Sequence, residues 1–140
     1  MTTFRTSREI PATVEQLFAA FRDPERLARW WGPAGFTNTF DVCDFRVGGR
    51  WSFVMHGPEG GHYPNESVFA EIAPPHKVVI QHVSEPKFRL TVDLTPSTSG
   101  TLVSWSQDFE NDEMARRVEP IVVPANEQNL DRLAAEVAGE

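Results

Sequence analysis

The 140-residue sequence contains a single cysteine, Cys43, so no disulfide can form within the chain. A lone thiol is typical of a reducing compartment, and we therefore expect a cytoplasmic protein. The N-terminal stretch MTTFRTSREIPATVEQLF lacks the apolar core of a secretory signal peptide. No apolar run approaches the roughly 20 residues that a membrane-spanning helix needs, so we expect no membrane partner.

Positive charge is also scarce, because 13 lysines and arginines stand against 20 aspartates and glutamates, a net charge of −7. Nucleic-acid-binding proteins present a basic face, so we expect no nucleic-acid partner. The chain contains no phosphate-binding loop, dinucleotide fingerprint or Gly-x-Ser-x-Gly nucleophile elbow. We therefore expect no bound cofactor, and we expect residues 1–140 to form one domain.

Two short helices are predicted after an opening strand at residues 3–10. Thr13 and Gln16 have the spacing of a capping box, in which each side chain satisfies a backbone N–H at the start of a helix. Asp23 and Pro24 then begin a second helix, because Asp favours the N-cap and Pro the first helical position.

Two adjacent tryptophans, Trp30 and Trp31, stand at the end of this second helix. Gly32 and Pro33 follow and are expected to end it. Consecutive side chains on a helix point about 100° apart, so one flat surface cannot bury both rings. The pair therefore requires a concave or two-sided environment.

A period of two replaces the helical spacing in the middle of the chain. It predicts six strands at roughly 39–46, 50–56, 63–73, 77–84, 87–95 and 101–109. Short links rich in Gly and Pro separate them, which favours antiparallel hairpins. A final helix is predicted over about 124–138, after a short turn near 112–118, because Pro120 and Pro124 interrupt the stretch between them.

The segregation of strands and helices along the chain indicates an α+β fold. The expected architecture is a curved, seven-stranded antiparallel sheet around a long C-terminal helix, with two short helices after the first strand. A curved sheet that grips one helix often leaves a space between the two.

Five segments in this order resemble the START-like (SRPBCC) helix-grip superfamily, and within it the family similar to the C-terminal domain of the activator of Hsp90 ATPase. They are REIPATVEQLFAAFRDPERLARWWGP, DFRVGGRW, EIAPPHKVV, SGTLVSW and NLDRLAAEV, and they cover nearly the whole chain. In such folds the two short helices lie at the open end of the grip. The resemblance implies that one tryptophan packs under the sheet edge while the other, Trp31, flanks the cavity mouth; burial of both in the core is the alternative.

The chain departs from the family pattern before the segment LDRLA. Relatives often carry Gly-Trp there, whereas this chain has Ala125 and Asn126. The resemblance therefore implies a larger and more polar cavity at this point, unless Trp105 fills the gap from the opposite side.

Strict alternation sorts the strand side chains onto two faces. The apolar residues expected on the wall of the concave side are Trp51, Phe53, Val68, Trp105 and Phe109. Glu66, His82 and Gln107 share that side by the same pattern. A buried carboxylate or imidazole has a displaced pKa, which acid–base catalysis uses, although solvation at a strand end is the alternative. Phe69 and Val79 fall on the outward face, where they would suit a homodimer.

Two further groups of residues are expected to carry no chemistry. His56 and His62 flank the loop HGPEGGHY, but no third ligand lies nearby at a standard spacing, so we expect no metal site. Cys43 lies in a strand without a neighbouring His. We expect it to act as a small buried apolar residue rather than as a nucleophile.

Three functions remain open from the sequence. The first is binding of a small hydrophobic or aromatic molecule in the cavity, which the aromatic wall favours. The second is an enzyme resembling the cyclases, aromatases or hydratases of the superfamily, with His82 and Glu66 as acid or base and no catalytic residue assigned. The third is a co-chaperone-like module, as the family name implies. We rank it last because the eukaryotic activator has a further N-terminal domain, for which 140 residues leave no room.

Overall fold

The structure, a computed structural model, describes residues 1–139. The strands are β1 Thr2–Ile10, β2 Thr37–Cys43, β3 Arg50–His56, β4 His62–Ala73, β5 Lys77–His82, β6 Phe88–Ser97 and β7 Gly100–Phe109. The helices are α1 Val14–Arg22, α2 Pro24–Trp30 and α3 Asp112–Ala138. The predicted α+β class and the order of the elements are confirmed.

All seven strands belong to one antiparallel sheet with the order β1-β7-β6-β5-β4-β3-β2. From β2 to β7 each strand pairs with the next, and β1 pairs with β7. The first two strands in the chain therefore occupy opposite edges, and α1 and α2 carry the chain from one edge to the other. A single apolar core joins buried side chains of the sheet with those of all three helices.

The starts of the two short helices follow the predicted capping chemistry. The backbone N–H of Gln16 donates to Thr13 Oγ1 over 3.1 Å, and the Gln16 side chain accepts from the N–H of Thr13 over 2.8 Å. The Asp23 side chain accepts from the N–H of Glu25, and Pro24 occupies the first position of α2. These local bonds explain why the two helices begin where the sequence predicts.

The C-terminal helix is longer than predicted. It runs without a break from Asp112. It begins there because the Asn111 side chain accepts from the N–H of Met114 and caps the first turn. The expected turn near 112–118 and the expected start at 124 are wrong. Pro120 and Pro124 are both exposed, and each removes only one main-chain hydrogen bond, so the helix continues through them. None of the helices within residues 1–139 is long and apolar enough to cross a membrane.

A β-bulge in β4 changes which side chains face the helices. Phe69 pairs with Ile80, whereas the next paired residue is Glu71 with Val79, so Ala70 is the extra residue. An extra residue reverses the alternation of side chains on its two sides. The part of β4 before Ala70 therefore presents the opposite set of side chains to the one expected from strict alternation.

Candidate functional site

A cavity of about 480 Å³ lies between α3, the loop that follows α2 and the inner face of the sheet. Its aromatic and aliphatic wall includes Trp31, Phe36, Phe53, Phe88, Leu90 and Trp105. Ile121 of α3 also borders it, and 69% of that side chain's surface is exposed. This volume lies within the range of about 300–1,000 Å³ that small-molecule sites occupy.

The two adjacent tryptophans point into different environments. Trp30 is the last residue of α2, and its Nε1–H donates to the carbonyl oxygen of Ala20 over 3.0 Å, so its ring belongs to the core beside α1. Trp31 has extended backbone dihedrals, and Gly32 follows with φ 101°, in the left-handed region. The ring of Trp31 borders the cavity, with its centroid 5.9 Å from that of Trp105. Both rings are buried, and only Trp31 also forms part of the site.

The expected aromatic wall is divided between the cavity and a layer behind it. Phe53, Trp105 and Trp31 border the cavity as expected. Trp51 does not, because its ring is wholly buried and stacks on Phe53 at a centroid distance of 4.4 Å. Phe109 does not either, since it lies behind Phe88, 5.5 Å away between ring centroids. Placing these two residues at the cavity surface was wrong.

Glu66 and Val68 lie on the outer face of the sheet, contrary to expectation, because of the bulge at Ala70. The Glu66 carboxylate accepts from Ser52 Oγ over 2.7 Å and from the Arg50 guanidinium. The hydrogen bond from Ser52, and to a smaller extent Arg50, lowers the pKa of Glu66 despite some desolvation. Glu66 is therefore an ionised surface group and cannot act as an acid in the cavity. Asn65 and Ser67 border the cavity in place of Glu66 and Val68.

His82 faces the cavity as predicted, and only 5% of its surface is exposed. Its ring stacks on Phe88, with the planes 9° apart. Burial lowers the pKa of His82, although the Pro86 carbonyl, the Ser84 backbone and the Glu85 charge act in the opposite direction. The imidazole is accordingly neutral near neutral pH.

Both ring nitrogens of His82 are occupied by protein groups. Nδ1 lies 2.8 Å from the Pro86 carbonyl oxygen, which only accepts, so Nδ1 carries the proton of the neutral ring. The neutral ring then leaves a lone pair on Nε2, so the side-chain amide of Asn65, 2.6 Å away, pairs with this nitrogen only when it presents its N–H group rather than its oxygen. A role for His82 as a general base therefore requires Asn65 to move away from Nε2.

Gln107 and Asn126 form the polar point predicted between the sheet and α3. Asn126 Nδ2 donates to Gln107 Oε1 over 3.0 Å. The second amide of α3 at the cavity, Asn129, donates from Nδ2 to the Trp30 carbonyl oxygen. Gln107 is 6% exposed, and its Nε2 makes no hydrogen bond within the described part of the chain but is not fully enclosed by protein. Trp105 and Asn126 both border the cavity, and the pair of Gln107 and Asn126 is its polar group at this point.

The remaining expectations concern residues outside the cavity. His56 and His62 lie side by side with their Nδ1 atoms 2.8 Å apart, and no third His, Cys, Asp or Glu completes a metal-binding group in residues 1–139. Cys43 is half-buried, and burial raises the pKa of its thiol to about 11. Phe69 is wholly buried on the inner face, and Val79 is 2% exposed, so neither is available to a second copy as proposed from the alternation.

Two other concavities, of about 550 and 520 Å³, are less suited to an apolar ligand. One is bordered by short polar and charged side chains of the outer sheet face, such as Ser7, Thr91 and Ser104. The other is bordered mostly by charged and polar side chains, including Glu85, Lys87 and Arg89. We place the candidate site in the first cavity because it combines aromatic walls with a few polar groups.

Sequence reasoning missed several cavity residues, and some of them left a signal. Asn129 follows Asn126 at helical spacing on the stripe that continues into Leu133 and Val137, so two amides on an apolar stripe were visible. In β4, strict alternation places the polar side chain of Glu66 on the inner face and the apolar ring of Phe69 on the outer face. This is the reverse of what burial favours, and it was a signal of the bulge at Ala70. Phe36 and Ile121 had no such signal, because their place at the cavity depends on a loop and on the unbroken α3.

A long helix held against a curved antiparallel meander, with a cavity between them, defines a helix-grip protein. The model of the family described as "Activator of Hsp90 ATPase homolog 1-like protein" matches residues 11–138, and the chain belongs to this family. Among curated proteins, none matches the chain.

Solved structures of bacterial proteins share the architecture over nearly the full chain. A protein from Arthrobacter aurescens is 25% identical with a TM-score of 0.89, covering 99% of this chain and 87% of that one. A protein from Rhodobacter sphaeroides is 26% identical with a TM-score of 0.86, covering 99% and 93%. The AHSA1 protein of Silicibacter pomeroyi is 26% identical with a TM-score of 0.78, covering 98% of each chain.

Proposed function

We propose that this protein binds a small, largely apolar or aromatic molecule in the cavity between α3 and the sheet. The observation that carries the proposal is the cavity of about 480 Å³, which aromatic rings border and which protein side chains leave unfilled. Burial of apolar ligand surface supplies about 25 cal/mol per Å², and the few amide groups add orientation.

The geometry gives the enzyme alternative less support. Glu66 lies on the other face of the sheet, and both nitrogens of His82 contact protein groups. The cavity therefore lacks the pair of titratable groups on which the acid–base hypothesis was based. A co-chaperone-like role has only the family description behind it, and no described surface favours it.

A thermal-shift screen of planar hydrophobic compounds, followed by native mass spectrometry, tests the proposal. A ligand at one hundred times its dissociation constant stabilises the fold by about 2.7 kcal/mol. For a chain of this size this corresponds to a shift of several degrees in melting temperature.

Two variants show where the ligand binds. Asn126→Trp places a large ring in the cavity and should abolish or strongly weaken the shift. Arg116→Trp adds the same ring to an exposed position of α3 outside the cavity, and it should leave the shift unchanged. A panel without any binder would contradict the proposal, and so would binding that survives Asn126→Trp.

A further inference from the structure

The cavity has no charged wall, although the chain is rich in charge. Within residues 1–139 the side chains that border it include no Asp, Glu, Lys or Arg. Its seven polar members are all uncharged near neutral pH in this environment: Tyr63, Asn65, Ser67, His82, Gln107, Asn126 and Asn129. An ionised ligand group would lose its hydration without gaining an opposite charge, which costs far more than burying a neutral polar group.

The Gln107–Asn126 pair adds a specific demand. One hydrogen bond joins the two amides, so the pair retains one unused donor group, the Nε2 of Gln107 with its two N–H bonds, and one unused acceptor group, Asn126 Oδ1. If both amides turned over, the bond would reverse, and the pair would still offer one donor and one acceptor. Gln107 is 6% exposed and borders the cavity, so its free group is satisfied there by water or, when water is displaced, by a ligand.

We infer that the ligand is an uncharged, largely apolar molecule with one group that both accepts and donates a hydrogen bond, a carboxamide or a hydroxyl, placed against Gln107 and Asn126. This inference rests on the proposed function. It excludes fatty acids, aromatic carboxylates, amines and phosphate esters as the natural class of ligand. In each of these the polar end is charged, so contact with Gln107 and Asn126 would bring the charge into a cavity without a charged wall.

Three compounds with the same ring system separate the possibilities: methylnaphthalene, naphthamide and naphthoate, all substituted at the same ring carbon. Binding is measured by quenching of tryptophan fluorescence and by thermal shift at neutral pH. Naphthamide should bind about tenfold or more tightly than methylnaphthalene, because the hydrocarbon displaces water from Gln107 and Asn126 and leaves their free groups unpaired. Naphthoate should bind at least about tenfold more weakly than naphthamide.

Variants then assign the preference to the amide pair. Gln107→Met keeps a side chain of similar length without hydrogen-bonding groups, and it should reduce the preference for naphthamide over methylnaphthalene to less than about threefold. Asn126→Leu provides the same test from the helix if the Met variant does not fold. Gln81→Met makes the matched change at a glutamine away from the cavity and should leave the preference unchanged.

Each outcome bears on a different statement. Naphthoate binding as tightly as naphthamide would overturn the inference and leave the proposed function standing. An unchanged preference in both Gln107→Met and Asn126→Leu would overturn the role of the pair. Failure of all three compounds to bind the wild-type protein would count against the proposed function itself, and the inference would fall with it.

Discussion

The guanidinium group of Arg132 in α3 donates from Nη1 to the carbonyl oxygen of Trp31 over 3.0 Å. The same group donates to the carbonyl oxygens of Arg29, Gly32, Pro33 and Phe36, at distances of 2.7 to 3.0 Å. Burial lowers its pKa, yet a guanidinium stays charged throughout the physiological range. A cation that caps the end of α2 and the following loop therefore fixes the rim of the cavity to α3.

Replacement of Arg132 should loosen this rim. Arg132→Met keeps the apolar stem but leaves the carbonyl oxygens without their donor, and we expect a loss of about 2–4 kcal/mol in the free energy of unfolding. Arg132→Lys should recover part of it, since an ammonium donates but cannot span the same fork. Denaturant unfolding measures the loss, and hydrogen exchange at residues 31–36 should become faster. A Met variant within about 0.5 kcal/mol of wild type would contradict this role.

Trp105 should contribute strongly to stability through its ring and little through its indole N–H. The ring is 2% exposed, and Nε1 is buried without a hydrogen-bond partner in the described residues. Trp105→Ala should cost about 3–5 kcal/mol, because it removes a large buried ring beside an existing cavity. Trp105→Phe should cost less than about 1.5 kcal/mol, because it also removes an unpaired donor. The midpoints of urea unfolding measure these losses. If Trp105→Ala lowers the free energy of unfolding by less than about 1 kcal/mol, the prediction is wrong, and the space left by the ring collapses or fills with water.

His82 should make stability depend on pH in one direction. Because burial lowers its pKa in the folded state, the unfolded chain binds a proton first as the pH falls below about 6.5. The stabilisation from the neutral ring is therefore complete above that pH and declines as the pH falls towards the folded-state pKa. Between pH 7.5 and about 5.5, wild type should therefore lose unfolding free energy relative to His82→Phe, which has no imidazole to protonate.

A control and a contrary result sharpen the test. His62→Phe, on the exposed β3–β4 hairpin, should leave this pH dependence in place. Wild type that gains stability relative to His82→Phe on acidification would contradict the prediction. It would mean that the acceptors on Pro86 and Asn65 outweigh desolvation and stabilise the imidazolium.

The prolines of α3 should make its N-terminal half easier to open than its C-terminal half. Pro124 has no N–H to donate to the Pro120 carbonyl oxygen, and the buried residues from Asn129 onward lie beyond both prolines. Pro124→Ala should slow amide hydrogen exchange in residues 116–128 by about tenfold or more, since Pro costs about 3 kcal/mol in a helix interior. Pro96→Ala in β6 is the control and should leave this segment unchanged. Equal exchange in wild type and Pro124→Ala would show that packing against the sheet, rather than hydrogen bonding, sets its stability.

The amino-acid sequence by itself determined the features that depend on near neighbours. The capping box of Thr13 and Gln16 and the start of α2 at Asp23 and Pro24 follow from contacts within three residues. The seven strands follow from alternation and from the turn residues between them, and the resemblance to the family follows from segments in a common order. The inward side chains of β5 and β7, including His82 and Gln107, were also predictable, because no bulge interrupts either strand's alternation.

Only the tertiary structure decided the features that depend on distant partners. Because of the bulge at Ala70, Asn65 and Ser67 face the cavity and Glu66 faces the outside of the sheet. The bulge is a feature of the pairing between β4 and β5, so the sequence of β4 alone does not determine it. The unbroken course of α3 through two prolines depends on core contacts of Leu130 and Leu133, which hold the helix against the rest of the protein. The hydrogen bonds from the Arg132 guanidinium to backbone carbonyl oxygens in residues 29–36 join parts of the chain that are about one hundred positions apart. Local preferences carry no information about such pairs, because the free energy that selects them arises only when the chain is folded.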